Sequence, residues 1–218
     1  MAKKSTEALC TLQKLEAFVP QFNPPVFAFE RSIRRSPFRI LISVLLSSRT
    51  KDEVTRQASE KLFALADTPE KMALLGEEKI QELIYPVGFY RQKAKNILRI
   101  SHHLSRLGKF PQSLDQLITL PGVGRKTANL VMSLALGKPA VSVDTHVFRI
   151  SRRLGWSSGQ IPAQVEEDLK KLFPAEYWIR INQTLVGFGQ TICKPIGPKC
   201  SRCIIKSTCP YFQARQQQ

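Results

Sequence analysis

LITLPGVGRKTA, residues 117–128, is the stretch on which the reading of this chain turns. Just ahead of it, Ser113 with Gln116 three residues later is a helix-starting pattern. Just behind it, residues 125–136 form a helical run stopped by Gly137 and Pro139. Between the two helices, Pro121-Gly122-Val123-Gly124 is a tight turn in which Gly122 and Gly124 let the backbone bend sharply and approach another surface. The turn feeds a helix N-terminus, whose outward N–H groups and dipole favour a phosphate. Arg125 and Lys126 stand at that same end. Such a hairpin grips a nucleic-acid backbone without reading bases. The same pattern also describes an ordinary helical hairpin inside a bundle, and the turn alone leaves both readings open.

Moving outward, the chain reads as helical nearly throughout. Ser36-Pro37 is a helix start, a hydroxyl cap followed by proline at the first helical position. Residues 38–48 are apolar on almost every face, which predicts a buried central helix. Residues 51–65 are amphipathic, with Val54, Ala58, Leu62 and Leu65 on one stripe. Thr68-Pro69 starts another helix, residues 77–85 a short one broken by Pro86-Val87-Gly88, and residues 91–107 a long basic one ending at Gly108. Residues 140–143 are the only β-like stretch; Asp144 then caps a helix whose Val147, Ile150, Ser151 and Leu154 share a face. Residues 162–173 and 178–188 complete the helices, and the Pro- and Phe-rich residues 20–29 read as a crossing between substructures.

Charge narrows the partners. Lys plus Arg is 33 and Asp plus Glu is 17 in 218 residues, a net +16. That balance favours a polyanion, most simply nucleic acid; a basic enzyme without a nucleic-acid role and a binder of anionic membranes are the bland alternatives. The longest apolar run, residues 40–46, is too short to span a bilayer. No apolar stretch with a small-residue cleavage site follows the basic start, so a cytoplasmic location is expected.

Near the C-terminus, Cys193, Cys200, Cys203 and Cys209 are spaced C-x6-C-x2-C-x5-C. Four soft thiolates so close together suit a metal centre, zinc or iron–sulfur. The intervening segments are too short for a strand or a full helix. Cys10 stands apart as a structural or incidental thiol.

Taken together, LPGVGRKTAN (residues 120–129), VDTHVFR (143–149) and the cysteine spacing resemble the helix-hairpin-helix DNA glycosylase superfamily, and within it the endonuclease III family of iron–sulfur glycosylases and abasic-site lyases. The resemblance covers residues 45–211. It implies an all-α fold of two helical lobes. One is a six-helix barrel lobe over residues 29–137 that contains the helix-hairpin-helix (about 113–136). The other joins residues 1–28 to 138–218 and carries a [4Fe–4S] cluster loop, 193–209. The implied partner is double-stranded DNA bearing damaged bases or abasic sites, met by a monomer with no membrane role.

The resemblance also implies roles for single residues. Lys126 is the nucleophile and Asp144 its partner carboxylate. The amine must be neutral to attack, and the helix end, Arg125 and partial burial of Lys126 all push that way. Read without the resemblance, Lys126 is a helix lysine that contacts phosphate and Asp144 a plain cap. Two loops, LLSSRTKD (45–52) and VGFYRQKA (87–94), would fill the gap left by a flipped base, through Arg49 and Phe89. The family commonly has glutamine where this chain has Arg49, and often a leucine wedge where it has Phe89. Gly122, Gly124 and Arg125 would hold the backbone, and carbonyls of Ile118, Leu120 and Val123 a monovalent cation. The four cysteines would ligate the cluster and present Lys194, Lys199, Arg202 and Lys206 to phosphate. The activity expected is removal of oxidised pyrimidines followed by β-elimination. The alternatives are a monofunctional, adenine-mismatch type of glycosylase and a non-catalytic DNA-binding module.

Overall fold

A computed structural model describes residues 2–33 and 36–216. Thirteen helices and four short 3-10 turns make up its regular structure, and no strand occurs among the described residues. Two compact units divide the chain, Phe29–Lys138 and the pair of segments Met1–Ala28 and Pro139–Gln218.

Along the chain the helices are α1 (Ala2–Phe18), α2 (Pro25–Ile33), α3 (Pro37–Ser47), α4 (Asp52–Leu65), α5 (Pro69–Leu74), α6 (Glu77–Ile84), α7 (Tyr90–Leu107), α8 (Leu114–Ile118), α9 (Arg125–Leu136), α10 (Thr145–Arg153), α11 (Pro162–Leu172), α12 (Trp178–Thr191) and α13 (Pro210–Gln216). The starts follow from local chemistry. The side chains of Ser36, Thr68 and Ser113 accept from the backbone N–H groups of Arg39, Lys71 and Gln116, satisfying donors that a helix start would leave open.

In the Phe29–Lys138 unit, α3 is the hub. Phe38 and the whole run from Ile40 to Leu46 are buried, because α4, α7 and α9 pack around it. α7 turns Lys93, Ala94, Ile97, Ile100, Ser101 and Leu104 inward, one stripe at helical spacing. α4 departs from the stripe read in the sequence. It buries Thr55, Ala58, Ser59, Leu62 and Phe63, while Leu65 is 54% exposed. The inward face is rotated by about one position, and Leu65 at the helix end falls outside it.

The other unit is built on α1, α10, α11 and α12. α1 is absent from the sequence reading, although Ala8, Leu12 and Leu15 bury one face at helical spacing, which Val19 continues just past the helix end. Residues 20–29, read as a crossing between substructures, carry the chain from one unit to the other at Ala28 and Phe29, and they form a 3-10 turn (Val19–Phe22) and the first part of α2, which Pro25 opens as an N-terminal proline. The β-like residues 140–143 are buried and hold no regular structure rather than a strand; the Asn182 side chain donates to the Ser142 carbonyl at 3.0 Å. No described helix is long and apolar enough to cross a membrane.

Candidate nucleic-acid interface and metal centre

The hairpin turn between α8 and α9 is closed by backbone bonds, Leu120 N to Leu117 O and Val123 N to Leu120 O, each 3.1 Å. Gly122 has φ +79, and a Cβ there would lie 2.3 Å from the Asn96 side-chain nitrogen. The turn therefore rests directly on α7, at a position only glycine fits. Gly124 caps α9 through its backbone, with no side-chain cap. The start of a twelve-residue helix is thus left facing solvent with Arg125 and Lys126, both exposed. The partial burial expected of Lys126 is not found. The inward face of α9 begins only at Ala128, so the first turn projects outward.

Beside the hairpin lies a cleft of about 260 Å³, lined by Leu45, Ser48, Arg49, Phe89, Lys93, Asn96, Gly122 and Thr127. The structure thus brings Arg49, Phe89 and Gly122 to one place. Phe89 is 62% exposed, so it is no part of the core. Its ring lies 5.4 Å from the Arg49 guanidinium carbon, a cation–π pair. Arg49 (φ +53) and Phe89 (φ +58) both hold the left-handed conformation, which side chains other than glycine rarely adopt. Gly88 sits between the loops: its N–H donates to Thr50 Oγ1 at 3.1 Å, and a Cβ would meet the Arg49 carbonyl at 2.5 Å.

Lys93, Asn96 and Thr127 also line the cleft, and sequence reasoning missed them. Lys93 is buried, and burial lowers its pKa to about 8. The clue lay in its place on the apolar stripe of α7, where a lysine requires oxygen partners.

In the other unit, Asp144, itself extended, follows the irregular residues 139–143 and caps α10. Its Oδ1 accepts from the His146 and Val147 N–H groups at 2.9 and 2.8 Å, so the capping role is met. Arg149, one turn further on, interacts electrostatically with Asp144 and donates to the Cys193 carbonyl at 3.0 Å. Helix α10 therefore links the aspartate to the cysteine loop by one side chain.

Cys193, Cys200, Cys203 and Cys209 line one cavity together with Phe188, Ile192 and Ile205. Short 3-10 turns at Cys200–Arg202 and Lys206–Thr208 carry the chain around it. Among the described residues, no three His, Cys, Asp or Glu side chains are grouped tightly enough to hold a single metal ion. Burial raises the Cys193 thiol, and raises Cys203 to about 11. Arg153 opposes this at Cys193, donating to its sulfur at 3.3 Å and to the Lys194 carbonyl at 2.8 Å. Lys194, Lys199, Arg202 and Lys206 are all exposed, with Arg202 stacked 5.4 Å from the Phe22 ring centroid. Cys10 is exposed.

Residues 42–175 match the family described as the HhH-GPD superfamily of base excision DNA repair proteins. The chain is 49% identical to the endonuclease III of Thermotoga maritima over 181 residues, covering 82% of this chain and 85% of that one. It is 40% identical to the endonuclease III of Escherichia coli over 178 residues, 81% of this chain and 84% of that one. In three dimensions it is similar to an endonuclease III trapped as a covalent intermediate with DNA, with a TM-score of 0.86 at 33% identity over 97% of this chain and 98% of that one.

Proposed function

The chain belongs to the endonuclease III family of the HhH-GPD superfamily, and from that membership we propose how its residues divide the work of a base-excision glycosylase and lyase. The protein is a DNA glycosylase with abasic-site lyase activity acting on DNA. Oxidised pyrimidines in duplex DNA are the substrate class we assign, and a cytoplasmic location goes with that substrate.

Lys126 is the nucleophile in this reading. Its amine attacks the sugar carbon that bears the damaged base, and the base departs with the bonding electrons and takes up a proton. Positive charge develops on the sugar as the glycosidic bond breaks, and the Asp144 carboxylate stabilises it. The amine proton passes to the ring oxygen as the C1′–O4′ bond breaks, which opens the sugar and leaves a protonated imine between C1′ and Lys126. The imine acidifies the adjacent C–H, whose proton is removed as the 3′ phosphate leaves, and water then releases Lys126. A neutral amine is required for the first step. Lys126 is exposed, so burial has to come from docked DNA.

The observation that carries this reading is the start of α9: a helix end with no side-chain cap, exposed to solvent, with Arg125 and Lys126 on it and a glycine turn behind it. Backbone N–H groups there hold phosphate while the lysine reaches the sugar. Arg49 and Phe89 fill the gap left by the extruded nucleotide, the phenyl ring stacking and the guanidinium hydrogen-bonding the orphan base.

Cys193, Cys200, Cys203 and Cys209 would hold a [4Fe–4S] cluster, which orders the loop when bound. The donor set fits: four thiols face one cavity with apolar walls, and Arg153 balances the negative charge of a thiolate. Lys194, Lys199 and Lys206 then meet the DNA backbone.

Borohydride reduction on an abasic duplex tests the assignment. Wild type is expected to be trapped covalently. Lys126→Ala is expected to lose trapping and to lose nicking by about a thousandfold or more. Asp144→Asn is expected to bind DNA normally but release base about a hundredfold more slowly. Equal trapping of wild type and Lys126→Ala refutes the nucleophile.

A further inference from the structure

We propose that Lys93 is a positioning residue that locks the two gap-filling loops into one rigid pair. The inference rests on the gap-filling reading of Arg49 and Phe89. Lys93 Nζ donates to the Leu46 carbonyl at 2.8 Å, to the Ser48 carbonyl at 2.6 Å and to Thr50 Oγ1 at 3.3 Å. An ammonium group has three donors and no lone pair, so these three oxygens use it completely. Lys93 is therefore no second nucleophile, although it lines the cleft.

The acceptors are specific in what they hold. The Leu46 and Ser48 carbonyls lie at the C-terminal end of α3, where a cation suits the helix dipole. Thr50 continues the network. Its hydroxyl donates to the Ser48 carbonyl at 3.2 Å and accepts both Lys93 and the Gly88 N–H. One buried side chain thus ties α7 to residues 48 and 50, which flank Arg49, and through Thr50 to Gly88, which precedes Phe89.

The backbone shows why such a brace is needed. Arg49 and Phe89 both sit in a sparsely populated conformation. That conformation persists only where the surroundings over-determine it. Free loops would relax and splay the pair, and a wedge that must enter a base stack would lose its preset shape. Rigid support at the base of a functional pair is what converts exposed side chains into a tool. Burial of Lys93 without a carboxylate is costly for a cation, and the fold accepts that cost where the carbonyls of one loop need a common anchor.

The test compares binding to two duplexes: an intact one, and one carrying a tetrahydrofuran abasic analogue opposite 2-aminopurine. Wild type is expected to prefer the abasic duplex and to change the 2-aminopurine fluorescence on binding. Lys93→Met removes the anchor. Thr50→Val keeps the α3 cap but cuts the link to Gly88, and it decides the matter if Lys93→Met fails to fold. For each folded variant the preference should fall on the order of tenfold, with the fluorescence change lost and intact-duplex affinity kept within about twofold. Variants that retain the preference and the fluorescence change overturn the proposal. A parallel fall on both duplexes also overturns it, since that is what simple loss of structure produces. The double variant Arg49→Ala with Phe89→Ala separates the two ideas. If it keeps the preference, the gap-filling reading itself falls; if it loses the preference while Lys93→Met and Thr50→Val keep it, only the brace is wrong.

Discussion

The hairpin end and the cysteine loop both face DNA in this reading, yet they are built on opposite plans. The hairpin end is made of backbone. Gly122 rests on Asn96, Leu120 and Leu117 carbonyls close the turn, and α9 begins with no side-chain cap. Its shape is complete without any ligand. The cysteine loop is made around a space. Two 3-10 turns and four thiols surround a cavity, and two of those thiols are pushed toward their neutral form by burial. In the proposed reading, a cluster in that cavity is what orders it. The difference teaches that a site using N–H groups can be specified by glycine placement, whereas a site using thiolates needs its guest to hold them ionised and together.

The largest expected effect breaks the comparison at the loop. Cys203→Ser should abolish the absorbance near ~410 nm that a [4Fe–4S] protein shows. It should also flatten the dependence of log Kd on log salt, by about 0.9 for each phosphate that the loop no longer neutralises. Far-UV circular dichroism should keep the signal of the Phe29–Lys138 helices. Unchanged colour and salt slope would show that the loop is not organised by a cluster.

A smaller effect probes the hairpin end. Gly122→Ala places a methyl against Asn96 at a residue with φ +79. Destabilisation of roughly 1–3 kcal/mol is expected, read as the urea midpoint, with a matching loss of affinity for intact duplex. A variant as stable and as tight as wild type would mean that the turn does not need its close approach to α7.

The smallest effect concerns the buried lysine beneath the cleft. Burial lowers Lys93 from its ordinary 10.5 to about 8, so between those values the unfolded chain binds more protons there than the folded one. Stability must therefore rise with pH across that window, because the folded state is relieved of a buried charge as it deprotonates. The difference in Tm between wild type and Lys93→Met should drift in favour of wild type from pH 8 to 10.5. A drift of the opposite sign would mean that the three oxygen acceptors outweigh burial and hold the proton more tightly than water does.

Much of this is legible in the chain. Ser36, Thr68, Ser113 and Asp144 cap the helices they precede, because a cap is a bond between residues two or three apart. The glycine turn and the cysteine spacing are equally local. α1 is legible too, since Ala8, Leu12 and Leu15 keep helical spacing, although the sequence reading passes over it. α2 is hidden behind its prolines, which open a helix as readily as they forbid one. Leu65 is misplaced by its own stripe because the inward face of α4 is set by α3 and α6, not by the hydrophobicity of α4 itself.

By itself the sequence determined the family and the helical class, and it named the candidates for chemistry and for metal binding. Each of these is written in residue identity and short spacing. Only the tertiary structure decided that Lys126 lies exposed, that Phe89 is a surface ring paired with Arg49, and that Lys93 is buried beneath both. The reason is distance along the chain: the oxygens that hold Lys93 come from residues 47, 45 and 43 positions away, and no local pattern records a bond that packing alone creates.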